Sequence, residues 1–284
     1  MIKIASNLID FHDEICCFSG DGGESAIASA IEHFNRDQRL EELKKTKREK
    51  EIIELARQAV ISFQAEYKRK KILNVPLDHI HILKKGAVGK YAASYEEGAF
   101  SSKGKTIVVE RSFNEAKFAL TVFHELFHAY SYSCPLYKDG QMMNFISGVS
   151  VKAPCFKRLV FLEIIEEAVI SFMERKFFKE YIVSDEDLFT KPIGRISFSR
   201  TGELEALEWF IGLSKSKTGR SRKDLMNFFI GAQINGWVDR VLDFYELIFG
   251  EGHVKWMMKR NNEIAVGVNQ QLFILLTNLN IYLY

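Results

Sequence analysis

The stretch Phe123-His124-Glu125-Leu126-Phe127-His128-Ala129 contains the pattern H-E-x-x-H. On an α-helix, residues four apart point from one face in adjacent turns, so His124 and His128 can take two corners of a tetrahedral Zn²⁺ site. Glu125 stands beside them, where it can take a proton from a metal-bound water. The pattern therefore predicts a metal site and a general base on one helix. The alternative is a helix with two ordinary histidines and an exposed glutamate.

The residues before the motif predict a small sheet that leads into the motif helix. Residues 77–83 alternate between apolar and polar side chains, and residues 106–110 are apolar and β-branched, so both segments are predicted strands. One or two short strands are expected within 86–101. Residues 112–115 read Ser-Phe-Asn-Glu, a capping box that predicts the start of the motif helix. Pro135 predicts its end.

Other segments of the chain have a helical pattern of apolar residues. Further helices are predicted over residues 36–71, 156–181, 202–213 and 222–249. The segment 136–154 is predicted to be a loop with a short apolar insert. Together these elements predict an α+β fold with a small, mostly antiparallel sheet and helical flanks at both ends.

The composition limits the classes of protein to which this chain can belong. The chain has 284 residues, 47% hydrophobic content and a net charge of +2, so it can bury a sizeable core and gives no compositional case for nucleic-acid binding. No C-x-x-C pattern occurs, which disfavours a thiolate zinc site. The four cysteines are Cys16, Cys17, Cys134 and Cys155. Residues 1–18 lack a signal-peptide core, and residues 272–284 are too short to span a bilayer. We therefore expect a cytoplasmic location and no membrane span, with signal-independent export left open.

Two histidines do not complete a catalytic zinc site, because a third protein ligand is needed and one position must stay open for water. The extension H-E-x-x-H-x-x-G-x-x-H would require Gly at 131 and His at 134, whereas this chain has Ser131 and Cys134. A continuing helix would carry Cys134 away from the metal. The pair His79 and His81 could share a strand face, but without a nearby third ligand they are better explained as ordinary strand histidines.

The helix predicted over 156–181 is apolar enough to be buried, so its carboxylates need partners or a metal. Its candidates for the third ligand are Glu163, Glu166 and Glu167. By helical geometry Glu163 and Glu167 lie about 40° apart, so one could bind the metal while the other orients a histidine. Glu166 lies on an apolar stripe, which is unusual for a carboxylate. The residues alone leave the choice open.

The order of strand, H-E-x-x-H helix, loop and a helix with Glu167-Ala168 resembles the gluzincin type of zincin metallopeptidases. Residues 107–173 are similar to the compact core of minimal-gluzincin and IrrE/ImmA-like peptidases, and the resemblance covers residues 76–180. It implies a zincin-like core at 75–182 between helical regions at 1–74 and 183–284.

The same resemblance implies that His124, His128 and Glu167 bind Zn²⁺. It also implies that the chain is a zinc metalloendopeptidase acting on a peptide or protein substrate, with Glu125 as the general base. An edge strand, at 90–94 or 99–101, would pair with the extended substrate. The alternatives are a catalytically inactive zincin-like binding or regulatory module, and a helical interaction protein with an accidental motif. The candidates for stabilising the oxyanion are Tyr130, Tyr132, Tyr137 and His253.

Overall fold

The computed structural model of the protein describes residues 41–67, 75–90, 97–101, 106–138, 141–152, 160–184 and 200–254, with single positions at 189, 196 and 198. Within these ranges the fold is α+β, as predicted, with six α-helices and two four-stranded sheets. None of the described helices is both long and apolar enough to cross a membrane. The terminal segments 1–18 and 272–284 lie outside the described ranges, as do Cys16, Cys17 and Cys155. The cytoplasmic location stays a prediction, and so do the domain boundaries after residues 74 and 182.

The elements follow one another in mixed order along the chain. The helices are α1 Lys47–Glu66, α2 Glu115–Tyr130, α3 Glu163–Phe177, α4 Thr201–Thr218, α5 Arg222–Asn235 and α6 Val238–Phe249. The strands are β1 Glu42–Leu43, β2 Ile80–Leu83, β3 Gly98–Ser101, β4 Thr106–Glu110, β5 Ser133–Lys138, β6 Gln141–Ser147, β7 Ser150–Lys152 and β8 Val160–Phe161. A π-helical turn, Phe178–Ile182, follows α3.

The described chain divides into two compact units, and the division falls within α3, after Ser171. The motif unit comprises the described residues of 41–130 and 172–198. Its sheet has the order β1-β2-β4-β3, in which the central pair β2 and β4 is parallel and the two outer pairs are antiparallel. The sheet is therefore mixed, and β3 is an edge strand within the part of the sheet that the structure describes.

Helix α1 begins later than predicted. Thr46 caps it, because the Thr46 hydroxyl accepts a hydrogen bond from the Glu49 backbone N–H and the Glu49 carboxylate accepts one from the Thr46 N–H. Just before this capping box, Glu42 and Leu43 form β1, which pairs with β2. The prediction of one helix over 36–71 is therefore wrong for residues 41–46. Backbone pairing with β2 decides the conformation of Glu42 and Leu43.

The motif helix α2 starts and ends differently from the prediction. The Asn114 side chain, not Ser112, accepts from the Lys117 N–H at 3.0 Å, so the capping box is wrong and the first helical residue is Glu115. The helix ends at Tyr130, and Pro135 lies inside β5 instead of at a helix end. Because β5 is the outermost strand in the described part of its sheet, a proline without an N–H is tolerated there.

Aromatic packing holds the motif helix within the motif unit. The ring of Phe123 stacks on Phe177 with centroids 4.4 Å apart and meets Phe63 edge-on at 6.0 Å. At the end of the helix, the Tyr130 carbonyl accepts a hydrogen bond from the Gln64 side chain. These contacts fix the rotation of α2 about its own axis, so its apolar side faces the core.

The C-terminal unit comprises the described residues of 131–171 and 200–254. Its sheet is antiparallel in the order β5-β6-β7-β8, so the loop predicted over 136–154 is wrong where it meets β5, β6 and β7. The helix predicted over 222–249 is two helices, because Gly236 adopts a left-handed φ of 68° and ends α5. A Cβ at Gly236 would overlap the ring of Tyr132, so only glycine fits there.

Candidate metal centre

His124 and His128 face each other on the motif helix, and both side chains are buried. Their Nε2 atoms are 3.2 Å apart. A tetrahedral ion with bonds of about 2.05 Å holds two nitrogen ligands about 3.3 Å apart, so the observed separation fits two ligands of one ion. Two nitrogen lone pairs facing each other at this distance repel, so a proton or a cation must lie between them. The predicted use of one helix face for both imidazoles therefore agrees with the geometry.

The second nitrogen of His124 contacts Glu174, a residue that the sequence analysis did not single out. Nδ1 of His124 lies 3.2 Å from Oε1 of Glu174, and Glu174 is 3% exposed. We assign the Nδ1 proton to this contact, because a carboxylate only accepts. That tautomer leaves the Nε2 lone pair of His124 available for a metal ion, which is the usual arrangement of metal-binding histidines.

Glu167 completes a group that could hold a metal ion. One ligand atom from each of His124, His128 and Glu167 lies within 4.8 Å of the others, and all three residues are buried. Of the three glutamates proposed as third ligand, Glu167 is the one that the structure brings to the histidines.

One face of α3 carries both relevant carboxylates. Glu167 and Glu174 are seven residues apart, which rotates them by only about 20° on an α-helix. The face that offers Glu174 to Nδ1 of His124 is thus also the face that carries Glu167. The spacing in the sequence could have placed Glu174 on the same face as Glu167, but it could not show that this face meets His124.

Glu166 is fully buried, but it belongs to a hydrogen-bond network of the C-terminal unit. Its carboxylate accepts hydrogen bonds from the hydroxyls of Ser147 and Ser150 and from the side-chain amide of Gln233. These three donors satisfy the Glu166 carboxylate, which explains how a carboxylate can lie on an apolar stripe of the helix. Glu163, also on α3, is not part of the candidate group.

Glu125 is 7% exposed and lies against the edge strand β3. A Cβ built on Gly98 would stand 2.9 Å from Oε1 of Glu125 and 2.7 Å from Cγ2 of Thr121. A larger residue at position 98 would have to displace the side chain of Thr121 or of Glu125. No pattern in the sequence indicates this close contact, because Glu97-Gly98 resembles an ordinary turn. The role of Glu125 as a general base stays a prediction.

The strand histidines are placed apart from this group. His79 lies in the 3₁₀ turn Leu77–His79, one residue before β2 begins, so the two do not share a strand face as predicted. The Nδ1 atom of His81 lies 2.7 Å from a carboxylate oxygen of Glu42. Their interpretation as ordinary histidines agrees with this placement.

The four candidates for stabilising an oxyanion have different surroundings. The Tyr130 hydroxyl accepts a hydrogen bond from the Val75 N–H at 3.2 Å, and burial raises the pKa of Tyr130. The ring of Tyr132 lies against Gly236, and His253 stacks on Phe249 with centroids 4.5 Å apart. Burial lowers the pKa of His253. The fourth candidate, Tyr137, lies in β5. Cys134, which was considered as a metal ligand, lies in the same strand and not on a continuation of the motif helix.

Arg200 is a second residue near the candidate site that no sequence pattern indicates. Its Nε atom is 3.2 Å from Oε2 of Glu167, and both residues belong to the C-terminal unit. No motif surrounds Arg200, and it lies 33 residues after its partner in the sequence. The sequence therefore offered no signal for this contact.

Comparisons of the chain with protein-family models, with curated proteins and with solved structures found no match. The resemblance to gluzincin peptidases stays a prediction.

Proposed function

We propose that this protein is a zinc-dependent peptidase that hydrolyses peptide bonds. The observation that carries the proposal is the buried group of His124, His128 and Glu167, with Glu125 on the same helix as the two histidines. Two imidazole nitrogens and one carboxylate oxygen are the ligand set of many catalytic zinc sites, and they leave a fourth position for water. The pairing of His124 with Glu174 further supports a metal site, because it fixes the ring in the ligating tautomer.

The chemistry divides between the ion and the side chains of this chain. Zn²⁺ bound by two histidines and a glutamate supplies Lewis acidity and brings the pKa of a bound water to about 7. His124 and His128 hold the ion through Nε2, and Glu167 holds it through a carboxylate oxygen. Glu125 accepts a proton from the attacking water and delivers it to the leaving amine. Such proton transfer contributes about 10²- to 10⁴-fold to the rate.

The substrate in this proposal is an extended peptide segment. Strand β3 pairs with β4 on one side, and its Gly98 lies directly against Glu125. A peptide added along the edge of β3 would be held by main-chain hydrogen bonds, and its backbone would run past the Glu125 carboxylate. Recognition through the main chain tolerates many side chains, so a peptide or an unfolded protein segment is the substrate class that fits.

The test replaces the general base and keeps the metal ligands. Glu125→Gln is expected to retain zinc and to lose at least about 100-fold in kcat/KM. Zinc content is measured by mass spectrometry of the purified full chain. Hydrolysis is measured by sequencing the products of a peptide library, with and without a chelator. Glu115→Gln is the matched control, because Glu115 is on the same helix but pairs with Arg48 at 3.3 Å.

Three outcomes decide the proposal. Cleavage by Glu125→Gln at the wild-type rate would show that the proposed mechanism is wrong. Absence of bound metal in the wild type would remove the centre itself. A protein that binds zinc but cleaves neither library peptides nor unfolded proteins would instead favour the inactive binding or regulatory module.

A further inference from the structure

Arg200 has an unusual backbone conformation at the start of helix α4. Its φ and ψ are 55° and 34°, in the left-handed region that non-glycine residues rarely adopt. Among the described residues, only Leu162 is another non-glycine residue with positive φ. Such conformations are strained and persist only where surrounding contacts hold them. Arg200 makes no side-chain cap for α4, so helix capping does not account for it.

The Arg200 side chain forms an ion pair with Glu167. Nε of Arg200 is 3.2 Å from Oε2 of Glu167, and the two side chains are 19% and 8% exposed. The same guanidinium lies 3.8 Å from Oε1 of Glu203, which is also buried. A guanidinium in such a low-dielectric place interacts strongly with a neighbouring carboxylate, because solvent screens it poorly.

We propose that Arg200 is a positioning residue that makes Glu167 bind the metal through a single oxygen. The inference rests on the metal centre proposed above. The ion pair attracts Oε2 electrostatically, so it favours binding of the ion through the other carboxylate oxygen and disfavours bidentate binding. The coordination position that a second oxygen would fill is thereby kept for water, as a catalytic site requires.

This role has a signature that a merely structural ion pair would not produce. Without the guanidinium, Glu167 can bind through both oxygens, and the repulsion between the guanidinium and the metal cation is removed. Both changes tighten metal binding, while the position needed for water is filled. Loss of Arg200 should therefore raise metal affinity and lower activity. A variant that is only destabilised would lose both.

The experiment uses the full chain loaded with Co²⁺ or Zn²⁺ alone. Arg200→Gly removes the side chain at a backbone conformation that suits glycine, so the fold should be retained, which circular dichroism checks. We expect its visible Co²⁺ bands to weaken, as for a change from four to five ligands, and its apparent Zn²⁺ affinity to rise about tenfold. Arg200→Lys keeps a donor for Oε2 and should retain the wild-type spectrum.

Glu203→Gln is the control, because it removes the other carboxylate near Arg200 and leaves Glu167 unchanged. A wild-type spectrum and affinity in Arg200→Gly would overturn the inference, and so would weaker Zn²⁺ binding. If Arg200→Gly does not fold, Arg200→Ala is measured against the same criteria. Glu167→Gln separates the two proposals. If it weakens Zn²⁺ binding while Arg200→Gly behaves as wild type, only the role of Arg200 is wrong. If wild-type protein binds no metal, both proposals fall.

Discussion

The contact between Glu174 and His124 gives the most direct test of the candidate metal centre. In Glu174→Ala, the Nδ1–H group of His124 loses its buried acceptor, so the imidazole is no longer fixed in the tautomer that exposes Nε2. Loss of such a partner typically weakens metal binding 10- to 100-fold. The observed separation of 3.2 Å is longer than the 2.7–2.9 Å of a strong charge-assisted hydrogen bond, so the lower end applies. We therefore expect about a tenfold rise in the Zn²⁺ dissociation constant, or about 1.4 kcal/mol.

The assay is competition for Zn²⁺ between the protein and a coloured chelator, with urea unfolding of the metal-free protein measured in parallel. Glu174→Gln keeps an acceptor oxygen and should fall between the wild type and Glu174→Ala. Glu163→Gln is the matched control on the same helix, and its affinity should stay within about twofold of the wild type. An unchanged dissociation constant in Glu174→Ala would refute the assignment of Glu174. A large effect of Glu163→Gln would transfer the role to that residue.

Two further predictions test the surroundings of Glu125 and the start of α1. Gly98→Ala places a Cβ 2.9 Å from Oε1 of Glu125, so kcat/KM should fall by at least about tenfold while the Zn²⁺ affinity is unchanged. The free energy of unfolding should fall by about 1–3 kcal/mol, because the added methyl group overpacks the site. The control is Gly212→Ala, whose added methyl group meets nothing within 4 Å, so its activity should be unchanged. A Gly98→Ala protein with full activity would contradict the close packing of Gly98 against Glu125. Burial alone would raise the pKa of Glu49, but hydrogen bonds from Arg111 and Thr46 outweigh it and hold the pKa below the ordinary 4.5. Because the pKa is lowered in the folded state, this stabilisation is present above pH 4.5 and is lost as the pH falls through the folded-state pKa. Glu49→Gln should therefore be about 1–3 kcal/mol less stable than the wild type near neutral pH, and this difference should shrink as the pH falls below 4.5. Urea unfolding that shows the same difference across this pH range would contradict the prediction.

Several features of the fold could be predicted from local sequence, because they depend on interactions between near neighbours. The β-branched run of β4 predicted a strand with the bounds that the structure gives. Helices α4 and α5 begin within one residue of their predicted starts. The errors came where distant backbone decided the conformation. Residues 42–43 are drawn into a sheet by β2, and β5, β6 and β7 form strands only because they pair with one another.

In the candidate site, too, local sequence predicted some features and tertiary packing decided others. The spacing of His124 and His128 determined that both imidazoles share one helix face, because the rotation per residue is a constant of the α-helix. The choice among Glu163, Glu166 and Glu167 was not determined by spacing, since all three lie on one buried helix. Packing decided it, because Ser147, Ser150 and Gln233 hold Glu166 while the candidate group takes Glu167.

The contributions of Glu174, Gly98 and Arg200 could come only from the tertiary structure. Each acts through a partner at least 27 residues away in the sequence: Gly98 against Glu125, Arg200 beside Glu167, and Glu174 beside His124. Which side chains meet across such separations depends on the rotation and packing of whole helices and strands. The sequence by itself determined a helix with two imidazoles and a carboxylate. Folding decided which distant residues orient those groups, because an orienting contact needs only the right place in space and leaves no pattern along the chain.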